Sequence, residues 1–291
     1  MSIKKCVNGS FVNDVYREYG TDTDTITSLP KTIIGDGQPI SAYTIKGNMS
    51  QSGTPTPSNP VYPTECGEKT ANLLDYKDIT TTPNYATVTL ITNGVNLTGK
   101  YMATIDMSLE INKAYYMSWT QQVVSGTADT GWRFKYTDNT YSNYGLNGGS
   151  LTPNKEVSQV LLYVTKSNDT ASVDFTNIMF SNGNIPYEPY GYKIPISFNQ
   201  TTYNIYITEP LRKSLDGSNV YDELSSNGTL TRRVDENGDA LATPTTEQVT
   251  VPTLTTTGTP EQFNVLTTLA PSEVSLTYHG WHEHQDTKFT T

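Results

Sequence analysis

The chain has 291 residues, with 19 Lys and Arg against 29 Asp and Glu, a net charge of −10. That balance argues against sequence-independent contact with nucleic-acid phosphates, and no run approaches the ~18 apolar residues of a transmembrane helix, so neither nucleic acid nor membrane insertion is expected. With 47 Thr, 20 Tyr and only 16% charged residues, against about 25% in an ordinary soluble domain, the composition suits strands better than long exposed helices.

The N-terminus, MSIKKCVNGSF, has no apolar segment of the secretory type, so synthesis in a cytoplasm is expected. Val7-Asn-Gly-Ser-Phe11 reads as a tight turn between short strands, because Asn-Gly readily takes positive φ. Thr21 to Thr27 is polar and without hydrophobic period, and reads as a linker. Ile33-Ile-Gly-Asp-Gly37 reads as a strand end and turn. The four prolines of residues 51–64 predict an extended strap that stays outside any ladder.

Residues 72–190 carry the clearest β pattern. Ala86, Val88 and Leu90 alternate with threonines; so do Ala103, Ile105 and Met107 with Thr104 and Asp106. Tyr115, Met117 and Trp119 form a third period-two series, and Trp132, Phe134 and Tyr136 a fourth. Val160 to Val164 is continuously apolar, as in a central strand, and Val173 to Phe180 is another run with a phase change near Thr176. Turn residues fall between these segments, which predicts a jelly-roll β-sandwich. Beyond residue 194 the signals are weaker. Tyr203 to Thr208 alternates, Glu209 to Leu215 suits one helical turn, Asn227 to Val234 is a turn then a strand. Val249 to Leu254, Phe263 to Leu266 and Val274 to Tyr278 are further short strands. The expected fold is therefore all-β with almost no helix. It comprises an N-terminal segment 1–40, a strap and first strand 41–70, a jelly roll 71–193, and a C-terminal β domain 194–291 that pairs with 41–70.

Chemistry is sparse. Cys6 and Cys66 lack a CxxC partner and leave open two free thiols or one bridge. His279, His282 and His284, with Glu283, form a terminal cluster of metal-ligating residue types. On a strand, however, only 282 and 284 share a face, so an incidental role is expected unless symmetric copies bring the rings together. Asp235 to Asp239 opens like a calcium loop, but Ala240 and Thr246 stand where an EF-hand needs Gly and an acid, so a plain turn is expected. No nucleophile elbow, HExxH or phosphate-binding glycine loop occurs. No cofactor and no catalysis are expected. The aromatic and amide residues Trp132, Tyr136, Asp138, Asn139, Tyr141, Asn143 and Tyr144 make suitable material for a sugar platform, since flat rings and amides are what glycans stack on and bond to. The competing expectation is core for Trp132 and Tyr136, leaving Tyr141 and Tyr144 as the better contacts.

Six segments carry a resemblance. Ile45-Lys-Gly-Asn-Met-Ser-Gln-Ser-Gly-Thr-Pro-Thr-Pro-Ser-Asn-Pro60, followed by Gly67-Glu-Lys-Thr-Ala-Asn-Leu-Leu-Asp75, resembles structural proteins of phages and prophages of Gram-positive bacteria. Asn177-Ile-Met-Phe and Ile185-Pro-Tyr-Glu-Pro-Tyr-Gly-Tyr-Lys-Ile-Pro195 are similar to the close of carbohydrate-binding-module-like jelly rolls in such tail and baseplate proteins. Thr202 to Lys213 and Pro271 to Tyr278 continue it. The resemblance covers roughly residues 43–280 and implies a virion protein assembled as a homo-oligomer, most often a trimer; residues 1–40 fall outside it and are expected to attach the chain to other virion proteins. A host-surface polysaccharide is the implied ligand. The alternatives are a head fibre, decoration or collar protein without glycan binding, and a wall-glycan depolymerase.

Overall fold

The computed structural model describes residues 6–7, 10–11, 15–26, 31–35, 40, 42–47, 49–50, 64–216, 218–257, 260–265 and 273–285. Its early strands are β1 (Cys6–Val7), β2 (Ser10–Phe11), β3 (Val15–Ile26), β4 (Lys31–Gly35), β5 (Ala42–Lys46), β6 (Met49–Ser50), β7 (Thr64–Glu65) and β8 (Glu68–Lys69). Then come β9 (Thr87–Ile91), β10 (Gly94–Gly99), β11 (Met102–Asp106), β12 (Tyr115–Gly126), β13 (Gly131–Tyr136), β14 (Gly149–Leu151), β15 (Val157–Tyr163) and β16 (Ala171–Ser181). The last are β17 (Tyr192–Phe198), β18 (Thr201–Ile207), β19 (Glu223–Ser225), β20 (Thr229–Val234), β21 (Ala240–Gln248), β22 (Pro260–Val265) and β23 (Glu273–Gln285). Among the described residues, helix is confined to a single 3₁₀ turn, Tyr76–Asp78. The fold is all-β. The chain forms two compact units, Thr70–Gly191 and the remainder on either side of it.

Within Thr70–Gly191, a sheet ordered β14-β12-β16-β10-β9 and a sheet ordered β11-β15-β13 enclose one core. From β10 to β16 each successive strand belongs to the other sheet, which is the winding of a jelly roll. The period-two residues dictate this packing. Met117, Trp132, Phe134, Val160, Leu162, Phe175 and Phe180 all point inward and are buried. Tyr115 stacks on Phe180 with centroids 5.4 Å apart, and Trp132 meets Phe134 edge-on at 5.3 Å. β15 is the centre of its sheet, in keeping with its unbroken apolar run. In β16 the inward set passes from Val173 and Phe175 to Ile178 and Phe180. The pairing with β12 slips by one residue there, and Asn177 takes φ +50°. The series in β9 fades outward: Ala86 is buried, but Leu90 is 58% exposed on a strand that ends its sheet.

The two ends of this unit are laced together. Thr70 N–H donates to Gly191 O at 3.0 Å, and Ala71 N–H donates to the Glu188 carboxylate at 2.9 Å. The buried Asn72 amide donates to Ile178 O and Glu188 O, at 2.9 and 3.1 Å. Its oxygen accepts from Leu74 N and Phe180 N, at 3.2 and 3.0 Å. One side chain thus fills its hydrogen-bonding capacity on both end segments.

In the other unit an eleven-stranded sheet contains the run β18-β17-β22-β4-β23-β5-β19-β20-β21, with β3 also on β23 and β8 on β17. Its core includes Tyr43, Ile45, Cys66, Ile194, Ile196, Leu224, Phe263 and Leu276. Cys66 is a free, buried thiol, pushed up to about 12 by desolvation. The fully buried Asp222 carboxylate accepts from the backbone N–H groups of Arg212, Arg233 and Val234, at 3.1, 2.7 and 3.0 Å. Gly47 passes so close to the Arg212 backbone that a Cβ would lie 2.1 Å from its carbonyl oxygen, so only glycine fits.

Three expectations are corrected here. Thr21 to Thr27 is not a linker through most of its length: β3 runs to Ile26 and pairs residue by residue with β23. Threonine is β-branched, and a strand polar on both faces shows no hydrophobic period. Glu209 to Leu215 forms no helical turn but extended bridges, Leu211 with Cys66 and Lys213 with Tyr221. The strand expected at Val249 to Leu254 is absent, the pairing ending with β21. Most of the proline-rich strap, residues 51–63, lies outside the described residues.

Asn72→Ala removes four hydrogen bonds and orphans buried groups at both ends of the sandwich, so a loss of about 3 kcal/mol is expected in chemical denaturation of the full chain.

Candidate functional site

The stretch from Gly131 to Gly145 is a strand, a turn and a return. Alternation in β13 sends Trp132, Phe134 and Tyr136 into the core and Arg133 and Lys135 to the outer face. The turn is held by Asp138, whose carboxylate accepts from Thr140 N and Oγ1 at 2.9 and 2.6 Å and from Lys155 Nζ at 2.7 Å. The Lys155 hydrogen bond, then those of Thr140, hold the Asp138 carboxyl well below the usual range. Asn139 takes φ +61°, a conformation Asn tolerates.

The return lies alongside β13. Lys135 bridges Tyr141 and Trp132 bridges Gly145, so the four residues Trp132 to Lys135 lie opposite the five residues Tyr141 to Gly145. That extra residue is a bulge. In a regular strand Tyr141 and Tyr144 would face opposite ways, three positions apart. The bulge lets both reach Arg133, whose Cζ lies 4.2 Å from the Tyr141 ring centroid and 4.6 Å from that of Tyr144. Tyr163 of β15 completes the group, 5.1 Å from Arg133 and edge-on to Tyr144 at 5.1 Å. Tyr141 and Tyr144 are 45% and 39% exposed, whereas Tyr163 is buried. Burial pushes the Tyr163 phenol up. Neither its hydroxyl nor Arg133 Nε, both buried, has a hydrogen-bond partner. Lys166 stands 5.5 Å from the Tyr144 ring and is paired with Asp129 at 2.9 Å.

The structure brings together only part of the expected platform. Trp132 and Tyr136 are corrected to core: their exposures are 0% and 5%, and the Trp132 N–H is spent on Leu146 O at 3.1 Å. Asp138 and Asn139 build the turn. Asn143 is exposed beside Tyr144, its carbonyl accepting from Ser142 Oγ at 2.8 Å. Tyr141 and Tyr144 remain as surface rings. Sequence reasoning missed Arg133, Tyr163 and Lys166. The alternation marking Trp132 as inward also marks Arg133 as outward, and that was the available signal.

Elsewhere, the backbone of β23 sets His279, His282 and His284 opposite Thr21, Glu18 and Tyr16; their side chains lie outside the described residues. Among the described residues no three His, Cys, Asp or Glu converge as a metal site would need. Asp235 to Asp239 is a turn, with Asp235 Oδ1 accepting from Asn237 N and Asp239 N, both at 2.9 Å. A cleft of about 470 Å³ beside β20 and β21 is lined by Arg212, Arg232, Glu209 and Glu247, charges that already pair with one another or with Asp222. No protein-family model, no curated protein and no solved structure matches this chain.

Gly145 holds the return strand flat on Trp132, since a Cβ there would meet the indole at 2.5–3.0 Å. Gly145→Ala is therefore expected to cost about 2 kcal/mol by overpacking and to shift the tryptophan emission of the folded chain.

Proposed function

We propose that this chain is a phage virion structural protein whose jelly roll contacts a host-surface glycan, with Tyr141 and Tyr144 as the stacking faces. One observation carries the reading: two half-exposed tyrosine rings held together on the outer face of the sandwich by a single cation between them. Tyrosine brings a large amphipathic face with little rotamer freedom to lose. Packing against Arg133 removes more of that freedom before a ligand arrives, which lowers the entropic cost of binding. The sequence resemblance supports the virion assignment, a location on the particle beside other virion proteins, and symmetric homo-oligomerisation as a trimer. The described structure contributes no helix long and apolar enough to cross a membrane.

The test is binding of the purified full chain to intact Gram-positive cells and to their isolated wall polysaccharides, with the mass in solution measured alongside. Saturable binding that soluble polysaccharide competes away is expected, and Tyr141→Ala or Tyr144→Ala should each weaken it about tenfold, roughly 1.4 kcal/mol. A correctly assembled oligomer that binds none of these surfaces would leave a decoration or connector role instead.

A further inference from the structure

We propose that the Tyr141–Arg133–Tyr144 site takes an anionic glycan, one whose repeating unit carries a carboxylate or a phosphate, and that Arg133 reads that charge. This rests on the glycan-binding reading of the same site. The argument starts from where the arginines find their counter-charges. Arg212 meets Glu209 at 2.7 Å, Arg233 meets Glu223 at 2.7 Å, and Arg232 lies 3.4 Å from both Asp222 and Glu247. Arg133, the one arginine of residues 70–191, pairs with no carboxylate among the described residues, and its buried Nε has no hydrogen-bond partner. It has three tyrosine rings instead. Stacking on aromatic faces favours a guanidinium but leaves its in-plane N–H donors unused.

The neighbouring acids do not fill the gap. Asp129 is held by Lys166 at 2.9 Å and Asp138 by Lys155 at 2.7 Å. Lys135, also on the outer face of β13, donates to the neutral Gln159 at 3.3 Å. Gln159 in turn donates to Asp106 of β11 at 2.7 Å, so the acid on this face lies beyond Gln159 and Arg133 keeps its charge without a carboxylate beside it. The buried donor Nε is an unmet polar group in the same cluster as the unmet Tyr163 hydroxyl. Such groups are few in native structures and gather where a ligand or a mechanism accounts for them. An Arg fork suits planar, bidentate contact with a carboxylate or phosphate, and the tyrosines on either side would stack on the sugar that bears it.

The experiment compares the full chain binding three polymers: polygalacturonate, the same polymer after carboxyl reduction, and poly(glycerol phosphate). At least one charged polymer is expected to bind tenfold or more tighter than the neutral one. That gap should shrink as NaCl rises from about 50 mM to about 500 mM. Arg133→Gln should abolish the gap, lowering affinity for the charged polymer further than for the neutral one, and Arg133→Lys should keep part of it, since the charge stays but the fork is lost. Preference for polygalacturonate alone assigns a carboxylate; preference for poly(glycerol phosphate) alone assigns a phosphate. Should Arg133→Gln loosen the tyrosines and weaken every ligand, the salt response of the unaltered chain decides, and a flat response overturns the proposal. Equal affinity for charged and neutral polymers overturns it while leaving glycan binding intact. Binding to none of the three overturns the proposal, and binding to isolated wall polysaccharide then decides glycan binding on its own.

Discussion

The Asn72 amide is the constraint on which the sandwich depends. A jelly roll winds its strands alternately between two sheets, so its first and last segments are brought side by side only if something ties them. Here four hydrogen bonds from one buried side chain do so, joined by Glu188 on Ala71 and by the Thr70–Gly191 backbone pair. Fixing the ends fixes β16 against the core. β16 carries Phe175 and Phe180, against which Trp119, Tyr115 and Trp132 pack. Trp132 in turn supports the return strand that carries Tyr141 and Tyr144. The surface rings are thus held in place by hydrogen bonds far from them in the chain.

Much of the sandwich was legible because its strands are wet on one face and dry on the other. Tyr115, Met117 and Trp119, and then Trp132, Phe134 and Tyr136, announce both the strand and its inward side. Even the phase change in β16 shows in the residue pattern, since a bulge must move apolar residues from odd to even positions. Where both faces are polar that information vanishes. The Asp and Thr residues of β3 form a strand because β23 pairs with them, a tertiary cause that leaves no local period. Glu209 to Leu215 was misread for a related reason. Its backbone is claimed by Cys66 and Tyr221, and propensity over seven residues cannot outweigh that.

The site was half legible. Residue type pointed to the right stretch, but the surviving rings are brought together by a one-residue register slip that nothing in Tyr141-Ser-Asn-Tyr144 announces. Arg133 escaped notice because attention to aromatic residues passes over the cation between them. Its significance is a matter of what it lacks, a counter-charge, and that becomes visible only once every other arginine with a described side chain has been matched to an acid.

The pairing of β8 with β17 has a consequence for how the chain finds its fold. Lys69 lies opposite Tyr192 in an antiparallel ladder, so the whole of Thr70–Gly191 occupies the place of a hairpin loop. A disordered loop of that length would make closing the ladder more costly than a two-residue turn by about 4 kcal/mol, from chain entropy alone. Once the sandwich has folded with its ends laced, the same stretch acts on the ladder as a tight turn. Chain entropy thus makes the β8–β17 ladder less costly to close when the insertion is folded than when it is not.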